Sequence, residues 1–361
     1  MEGEPKLTLS LGLRYELTPP WTDLLNNDFT VALPHLDFVS NAPVADYPYF
    51  VREGSCSDPY AGLSIRWTST NAVCSNGALP LQLMKTAYKN FAPRFGIAYS
   101  PDSKLVIRAG FGIFYNQDIG NAVFDMSRNI AARVTLTSNL GTPNLFYNNA
   151  VPGGSGATAQ IPPPYAYVDA YSHKTSYTMQ FLLNVQRQLG GNWLLEAGYL
   201  GGESHHLYGF QDANQGIPGT VGSATSRLPF ANYGVIQLVA DGANGNYNSL
   251  SVKATRRFSQ GLSVISSFTW SKSIDDTSGI RTQGYDTLFP QNSDCIACER
   301  GLSSFDVRSR SVTSLLYDLP VGKGKRLNIQ MQLRTPLSAA GSQAVSLPCK
   351  VGCRRRFRSE E

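Results

Sequence analysis

The chain has 361 residues, 42% hydrophobic, 11% aromatic and only 16% charged, a composition that excludes intrinsic disorder and leaves room for a large core or two domains. Its net charge of +5 does not indicate nucleic acid. The stretch from Leu327 onward supplies +4, through Arg334, Lys350, Arg354, Arg355, Arg356 and Arg358 against Glu360 and Glu361, and the remainder carries no basic stripe.

Glycine (33), proline (21) and tyrosine (18) are plentiful, which favours strands and turns over helices. No apolar run approaches the roughly 18 residues of a transmembrane helix. The opening MEGEPKLTLSLG carries no signal-peptide pattern. From Lys6 to Tyr15, Leu7, Leu9, Leu11, Leu13 and Tyr15 alternate with Thr8, Ser10, Gly12 and Arg14, which predicts a strand. After a long polar, Pro-rich connection, Phe91 to Tyr99 alternates again, with Arg94, Gly96 and Ala98 on one face. Ser100-Pro101-Asp102-Ser103 turns the chain, and Lys104 to Tyr115 returns with Leu105, Ile107, Ala109 and Phe111 opposite Arg108, Gly110 and Gly112.

Thr175 to Leu189 reads as a fourth strand, although its good helix formers also admit an amphipathic helix. Gly190-Gly191-Asn192 turns into Trp193 to Tyr199. The segment from Tyr247 to Asp276 is the clearest hairpin. Leu250, Val252, Ala254 and Phe258 share one face, while Ser249, Ser251, Lys253, Thr255 and Arg257 share the other. Ser259-Gln260-Gly261 reverses it, and Leu262, Val264, Phe268 and Trp270 return. Ile265 and Ser266 break the alternation. Val307 to Leu319 is the eighth strand.

Short turns follow strands two, four, six and eight; connections of about 30 to 75 residues follow one, three, five and seven. Loops this long are uncommon in compact soluble domains, and gathering them at one end is the organisation of a transmembrane β-barrel. Aromatic residues mark both strand ends. Tyr15, Tyr115, Tyr177, Tyr199, Tyr247 and Trp270 lie at the long-loop end, and Tyr99, Trp193, Phe258 and Tyr317 at the other. They are expected to form the two girdles that bilayer interfaces favour. Leu7, Leu9, Leu11 and Leu13 are expected to face lipid with Leu105, Ile107, Ala109 and Phe111. Arg14, Arg94, Arg108, Lys253 and Arg257 are expected to face the lumen. So many inward charges are too costly for a narrow eight-stranded lumen. The expected fold is therefore all-β, an antiparallel meander of about eight strands from a larger barrel, forming an open curved sheet whose first and eighth strands are edges.

NFAPRFGIAYSP, KLVIRAGFGIFY, GNYNSLSVKATRRFSQGLSVISSFTWSKSIDD and GLSSFDVRSRSVTSLLYDLPVGKGKR, in that order, resemble the β-barrel of Oar-like, TonB-dependent-receptor-type outer-membrane proteins, over about Lys6 to Arg326. The resemblance implies a barrel of about 22 strands, preceded by a carboxypeptidase-regulatory-like domain and a plug. It also implies outer-membrane lipid and TonB as partners and an extracellular ligand to bind or move. Residues 1–326 would be the partial barrel. Residues 327–361, which show no strand pattern, are expected to be a disordered basic tail resembling a truncation or an altered reading frame. A surface adhesion protein on the same barrel is the alternative, and a soluble all-β carbohydrate-binding module a more distant one.

Cys295-x-x-Cys298 admits a local disulfide, free thiols or a metal site. The disulfide is favoured because both residues fall in an external loop, under oxidising conditions. Cys56 and Cys74 likewise read as a loop bridge, while Cys349 and Cys353 belong to the tail. Glu203, His205 and His206 could ligate a metal, and Asp275, Asp276 and Asp306 could hold Ca²⁺, but solvated loop ends explain both sets better. Gly110-x-Gly112 lies within a strand and is no nucleotide loop. No nucleophile elbow, P-loop or His-Glu-x-x-His occurs, so neither an enzyme nor a cofactor is expected.

Overall fold

In the computed structural model the described residues are 6–34, 48–57, 72–116, 120–129, 165–279, 289–320 and 342–347, apart from single positions at 25, 27, 56, 173, 220, 224 and 232. The first barrel strand, β1 (Leu7–Tyr15), is followed by three short strands, β2 (Phe29–Ala32), β3 (Tyr49–Arg52) and β4 (Ala72–Cys74). The hairpin β5 (Phe91–Asp102) and β6 (Leu105–Tyr115) precedes a short helix α1 (Asn121–Met126) and β7 (Tyr165–Asp169). Next come β8 (Tyr177–Gln188), β9 (Trp193–Asp212), β10 (Val235–Ser259) and β11 (Leu262–Asp275). The last are β12 (Gly301–Leu302), β13 (Ser309–Asp318) and β14 (Ser342–Leu347).

The large sheet runs β1-β5-β6-β8-β9-β10-β11-β13-β14, with every neighbour on that path antiparallel. It does not close: among the described residues β1 pairs only with β5, and β14 only with β13. All eight expected strands are present. The eighth, however, is not an edge, because Ser342–Leu347 pairs along β13 from Thr313↔Leu347 to Asp318↔Ser342. This corrects the reading of residues 327–361 as strandless for those six positions; the rest of that tail lies outside the described residues. Ser-Gln-Ala-Val-Ser-Leu carries too few alternating apolar residues to announce a strand alone, and a neighbouring strand's hydrogen-bonding groups supply the missing drive.

Local backbone chemistry sets the tight ends. At the β10–β11 turn Gln260 and Gly261 have φ of 52° and 78°, and at the β8–β9 turn Gly191 and Asn192 have 69° and 65°. Two consecutive positive φ values give the turn twist that matches paired strands. At the opposite end β9 and β10 outrun expectation, continuing in register to Gln237↔Asp212 through bulges between Ala240 and Gly245. His206, at φ 55°, absorbs one irregularity. Tyr199 and Tyr247 therefore sit within long strands and not at their ends.

Burial is inverted relative to a soluble domain. Leu9, Leu11 and Leu13 on β1 are 58%, 79% and 71% exposed, and Leu250, Phe268 and Trp270 about half exposed. The packed core lies instead in the long connections. Phe29, Val31 and Leu33 meet Phe50, Ala166, Val168, Tyr233, Ile236 and Leu238 in one cluster. Ala32, Tyr49, Val51, Leu79, Leu83, Met84 and Met126 form a second. Antiparallel β2–β3, extended by parallel β4, makes a small separate sheet, and β7 pairs in parallel with the loop-end half of β10, Val235↔Tyr165 to Val239↔Asp169. Three long connections thus build one folded cap at one end of the sheet.

Candidate functional site

Strand parity assigns each side chain a face. Leu7, Leu9, Leu11 and Leu13 lie opposite Tyr99, Ile97, Phe95 and Pro93. The row continues through Ile107, Ala109 and Phe111 to Val185, Leu183 and Phe181. This is the apolar outer face. Tyr15, Tyr99, Tyr115, Tyr177, Trp193, Tyr199, Trp270 and Tyr317 all share it. Tyr15 packs on Phe91 with ring centroids 5.1 Å apart, and Tyr115 on Tyr177 at 5.6 Å. Phe181 covers Gly201, where an added Cβ would come within 2.1 Å of the ring. Phe258, beside the Gln260–Gly261 turn, is 55% exposed.

Tyr247 departs from the expected girdle. It pairs with Gly202 and Ser273 and shares the face of Ser249 and Ser251, the inner one. Its residue type suggested an interface position, but its odd-numbered place on β10 decides the matter.

On the inner face Arg14, Arg94, Arg108 and Lys253 share parity with Ser10, Gly96, Asn184 and Ser251. The three arginines each have a local partner. Arg14 Nε lies 3.1 Å from Glu16 Oε1, and Arg108 Nη1 donates to Gln186 Oε1 at 2.7 Å. Arg94 stacks over Phe114 at 4.7 Å, and Lys253 lies directly across from Glu196, whose Oε1 accepts from Asn184 Nδ2 at 3.0 Å. Arg257, beyond the regular register, donates its backbone N–H to the Asn192 carbonyl at 3.1 Å. The surface is a mixed polar one.

At the loop end the Cys-bearing connection docks onto β9–β11. Cys295 and Cys298 are disulfide-bonded, closing a one-turn helix whose last residue, Glu299, accepts the Gln291 N–H at 2.8 Å. Arg300 donates to Asp276 Oδ1 at 3.0 Å and to Asn246 Oδ1 at 2.7 Å. The Asp212 N–H donates to Ser293 Oγ at 2.9 Å. Cys74 is also disulfide-bonded, whereas Cys56 lies outside the described residues, as do Cys349 and Cys353.

In the aspartate set two carboxylates serve the backbone and the third a hydroxyl. Asp276 Oδ2 accepts the Asn244 N–H at 3.0 Å, Asp306 Oδ1 the Ser273 N–H at 2.7 Å, and Asp275 the Ser278 hydroxyl at 3.0 Å. His205 and His206 lean on the Tyr177 ring at 5.3 and 5.8 Å, and His206 Nδ1 sits 3.6 Å from Asp241 Oδ2. Glu203 stands 4.0 Å from His205 Nε2.

A groove of about 530 Å³ opens where the inner face meets this loop end, between β9, β10 and β11 and the segment around Phe305. A second, of about 170 Å³, lies across Thr277–Gly279, against Phe210, Phe289 and Ile296. Sequence reading missed both, because they form only once β9 and β10 extend past Tyr199 and Tyr247.

It also missed the buried polar ties of the cap. Asn129 makes three side-chain hydrogen bonds: Nδ2 donates to the carbonyls of Phe29 (2.6 Å) and Tyr167 (2.5 Å), and Oδ1 accepts the Tyr167 N–H at 2.8 Å. Arg52 is wholly buried, donating to the carbonyls of Glu53 and Ser55. Glu53, 1% exposed, has a carboxylate whose oxygens make no hydrogen bond among the described residues. Desolvation, then Asp28 and Asp23, push its pKa up to about 8, against weaker opposition from Arg52. Desolvation and Asp23 raise Asp28 to about 6. An Asn or Glu in a polar loop gives no sequence signal for such burial.

Comparison with solved structures finds outer-membrane proteins at low identity. The outer membrane transporter YddB from Escherichia coli is 13% identical with a TM-score of 0.41, covering 74% of this chain and 33% of its own. The FrpB iron transporter from Neisseria meningitidis is 11% identical with a TM-score of 0.35, covering 65% and 25%. The alcaligin outer membrane receptor FauA from Bordetella pertussis is 13% identical with a TM-score of 0.31, covering 73% and 29%. The chain thus spans a quarter to a third of these proteins. No curated protein matches it. The outer membrane beta barrel domain, in contrast, matches residues 3–337. A match over nearly the whole chain, on a sheet whose apolar residues face outward, makes this protein a member of the outer membrane beta barrel domain family, located in the outer membrane.

Proposed function

We propose that the chain is the barrel portion of an Oar-like, TonB-dependent receptor or transporter that binds a ligand at the cell surface, the cap facing outward. One observation carries the reading. The apolar strand face is left for lipid while the packed core is confined to the cap. In lipid the backbone is satisfied by strand pairing, so the apolar row needs no protein layer over it. The long connections then hold a folded platform outside the bilayer, and a folded platform can carry a binding surface. The charged inner face is best solvated in a wide lumen, where a plug domain would meet Arg94, Arg108 and Lys253. TonB would act on that plug from the short-turn side. Residues 1–326 constitute the barrel part in this reading.

Surface accessibility tests it. Single cysteines at Leu24 or Val221 in the long connections, and at Gln260 in a short turn, are treated in intact cells with a membrane-impermeant maleimide. Leu24 and Val221 are 94% and 84% exposed, so their reactivity reports on sidedness. Labelling of the loop positions with protection of Gln260, in protein recovered from the outer-membrane fraction, is expected. The reverse pattern, or recovery in the soluble fraction, overturns the reading.

A further inference from the structure

Resting on that reading, we propose that the 530 Å³ groove at the loop end of the inner face is a binding site for a neutral saccharide. Its volume falls within the roughly 300–1,000 Å³ of small-ligand sites. Its walls combine three aromatic side chains, Tyr208, Tyr247 and Phe305, with Ser204, Ser273 and Asp275. Tyr247, Ser204 and Ser273 lie on the inner face of neighbouring strands, a rigid support for the first aromatic. Phe305 is 63% exposed, and the Tyr247 hydroxyl makes no hydrogen bond among the described residues. Gly245 keeps the floor low: a Cβ there would press within 3.3 Å of Asp275 and 3.4 Å of Leu207.

This chemistry matches a sugar ring, which presents an apolar C–H face to an aromatic and hydroxyls that both donate and accept around its edge. Other classes fit less well. Among the described residues no Lys, Arg or His lines the groove, so none of them would neutralise a carboxylate, phosphate or sulfate there. Nearby Arg300 is committed to Asp276 and Asn246. A single carboxylate, Asp275, already engaged by Ser278, is a weak match for a cation. An extended peptide would bind by adding to a strand edge, yet beside Tyr247 and Ser273 both β10 and β11 are hydrogen-bonded on each side, and only the part of β9 beyond His205 lacks β8 as a neighbour among the described residues.

The test is calorimetric titration of the purified protein in detergent micelles with maltohexaose, cellohexaose and xylohexaose. Oligogalacturonate, ferric citrate and hexa-alanine serve as the charged and peptidic comparators. Saturable binding of a neutral hexasaccharide is expected, weakened at least tenfold by Tyr247→Ala and by Phe305→Ala and unchanged by Tyr199→Phe on the outer face. Phe305 is exposed enough that its truncation leaves folding intact, which unchanged heat-modifiable mobility verifies. Absence of neutral-saccharide binding, tighter binding of a charged or peptidic comparator, or indifference to both truncations overturns the inference. Surface labelling is read on the same protein. Correct labelling without saccharide binding sinks this inference alone, whereas wrong labelling sinks the parent reading.

Discussion

Asn129 offers the sharpest test of the cap, because this one side chain, 100 residues from Phe29 in sequence, ties β2 to β7. Asn129→Ala removes three hydrogen bonds, to the Phe29 carbonyl and to both backbone groups of Tyr167. Each contributes about 1 kcal/mol net, so the cap should lose about 3 kcal/mol, with more where no water reaches the stranded groups. At 1.4 kcal/mol per factor of ten, local opening becomes about 100-fold more frequent. Hydrogen exchange read by mass spectrometry measures this directly. Amides of Phe29–Ala32 and Tyr165–Asp169 should lose protection, while those of β5, β6 and β8 keep theirs, since the cap can open without the membrane sheet. Protection changed by less than threefold in both cap strands would refute the argument. Equal loss across the membrane strands would refute its local character.

Two further outcomes follow from the faces and the buried acids. Ala109→Arg, on the outer row beside Ile97 and Leu183 and deeper than the Tyr99 girdle position, should cost about 2–4 kcal/mol if it lies near the bilayer midplane. Arg108→Ile, one residue along on the inner face, should cost far less, and equal losses of refolding free energy in lipid vesicles would contradict the facing. Glu53 and Asp28 bind protons more tightly in the folded cap than their ordinary values of 4.5 and 3.8. Their contribution is therefore fully present below about pH 4 and is lost as pH rises, Asp28's through about 6 and Glu53's through about 8. Protease resistance of the cap should fall between about pH 4 and 8, and Glu53→Gln should flatten the part of that fall above about pH 6, where Asp28 no longer titrates; an unchanged slope there in the variant contradicts it.

Period-2 patterning reported what the bilayer selects. The leucines of β1 could be read directly, because every second residue falls on one face of the sheet and its neighbours on the other. Patterning failed where a strand leaves the membrane. Gly201-Gly202 and the bulge near His206 look like a loop, yet β9 and β10 stay hydrogen-bonded beyond them, with no apolar row required there. The cap was hidden for another reason. Phe29–Ala32 and Tyr165–Asp169 are too short to show a period, and their partners stand far away in sequence. Tyr247 shows the limit of reasoning from residue type, since an aromatic at an interface-like place still obeys strand parity. The Cys295–Cys298 bridge was legible from a three-residue spacing and the loop that holds it; the groove beside Tyr247 was not, being a product of two extended strands.

The shared cluster of Phe29, Val31, Ala166, Val168, Ile236 and Leu238 means that the cap segments are not interchangeable parts. Each comes from a different connection, and each completes a core that the other two cannot finish. Transplanting one connection onto a related barrel would carry its sequence across but leave its apolar side uncovered. Variation at this surface is correspondingly constrained to travel in sets, with a substitution at Val168 answered at Phe29 or Ile236. The cap can therefore change by exchange as a whole, or by altering residues on its exterior, and not by shuffling single segments.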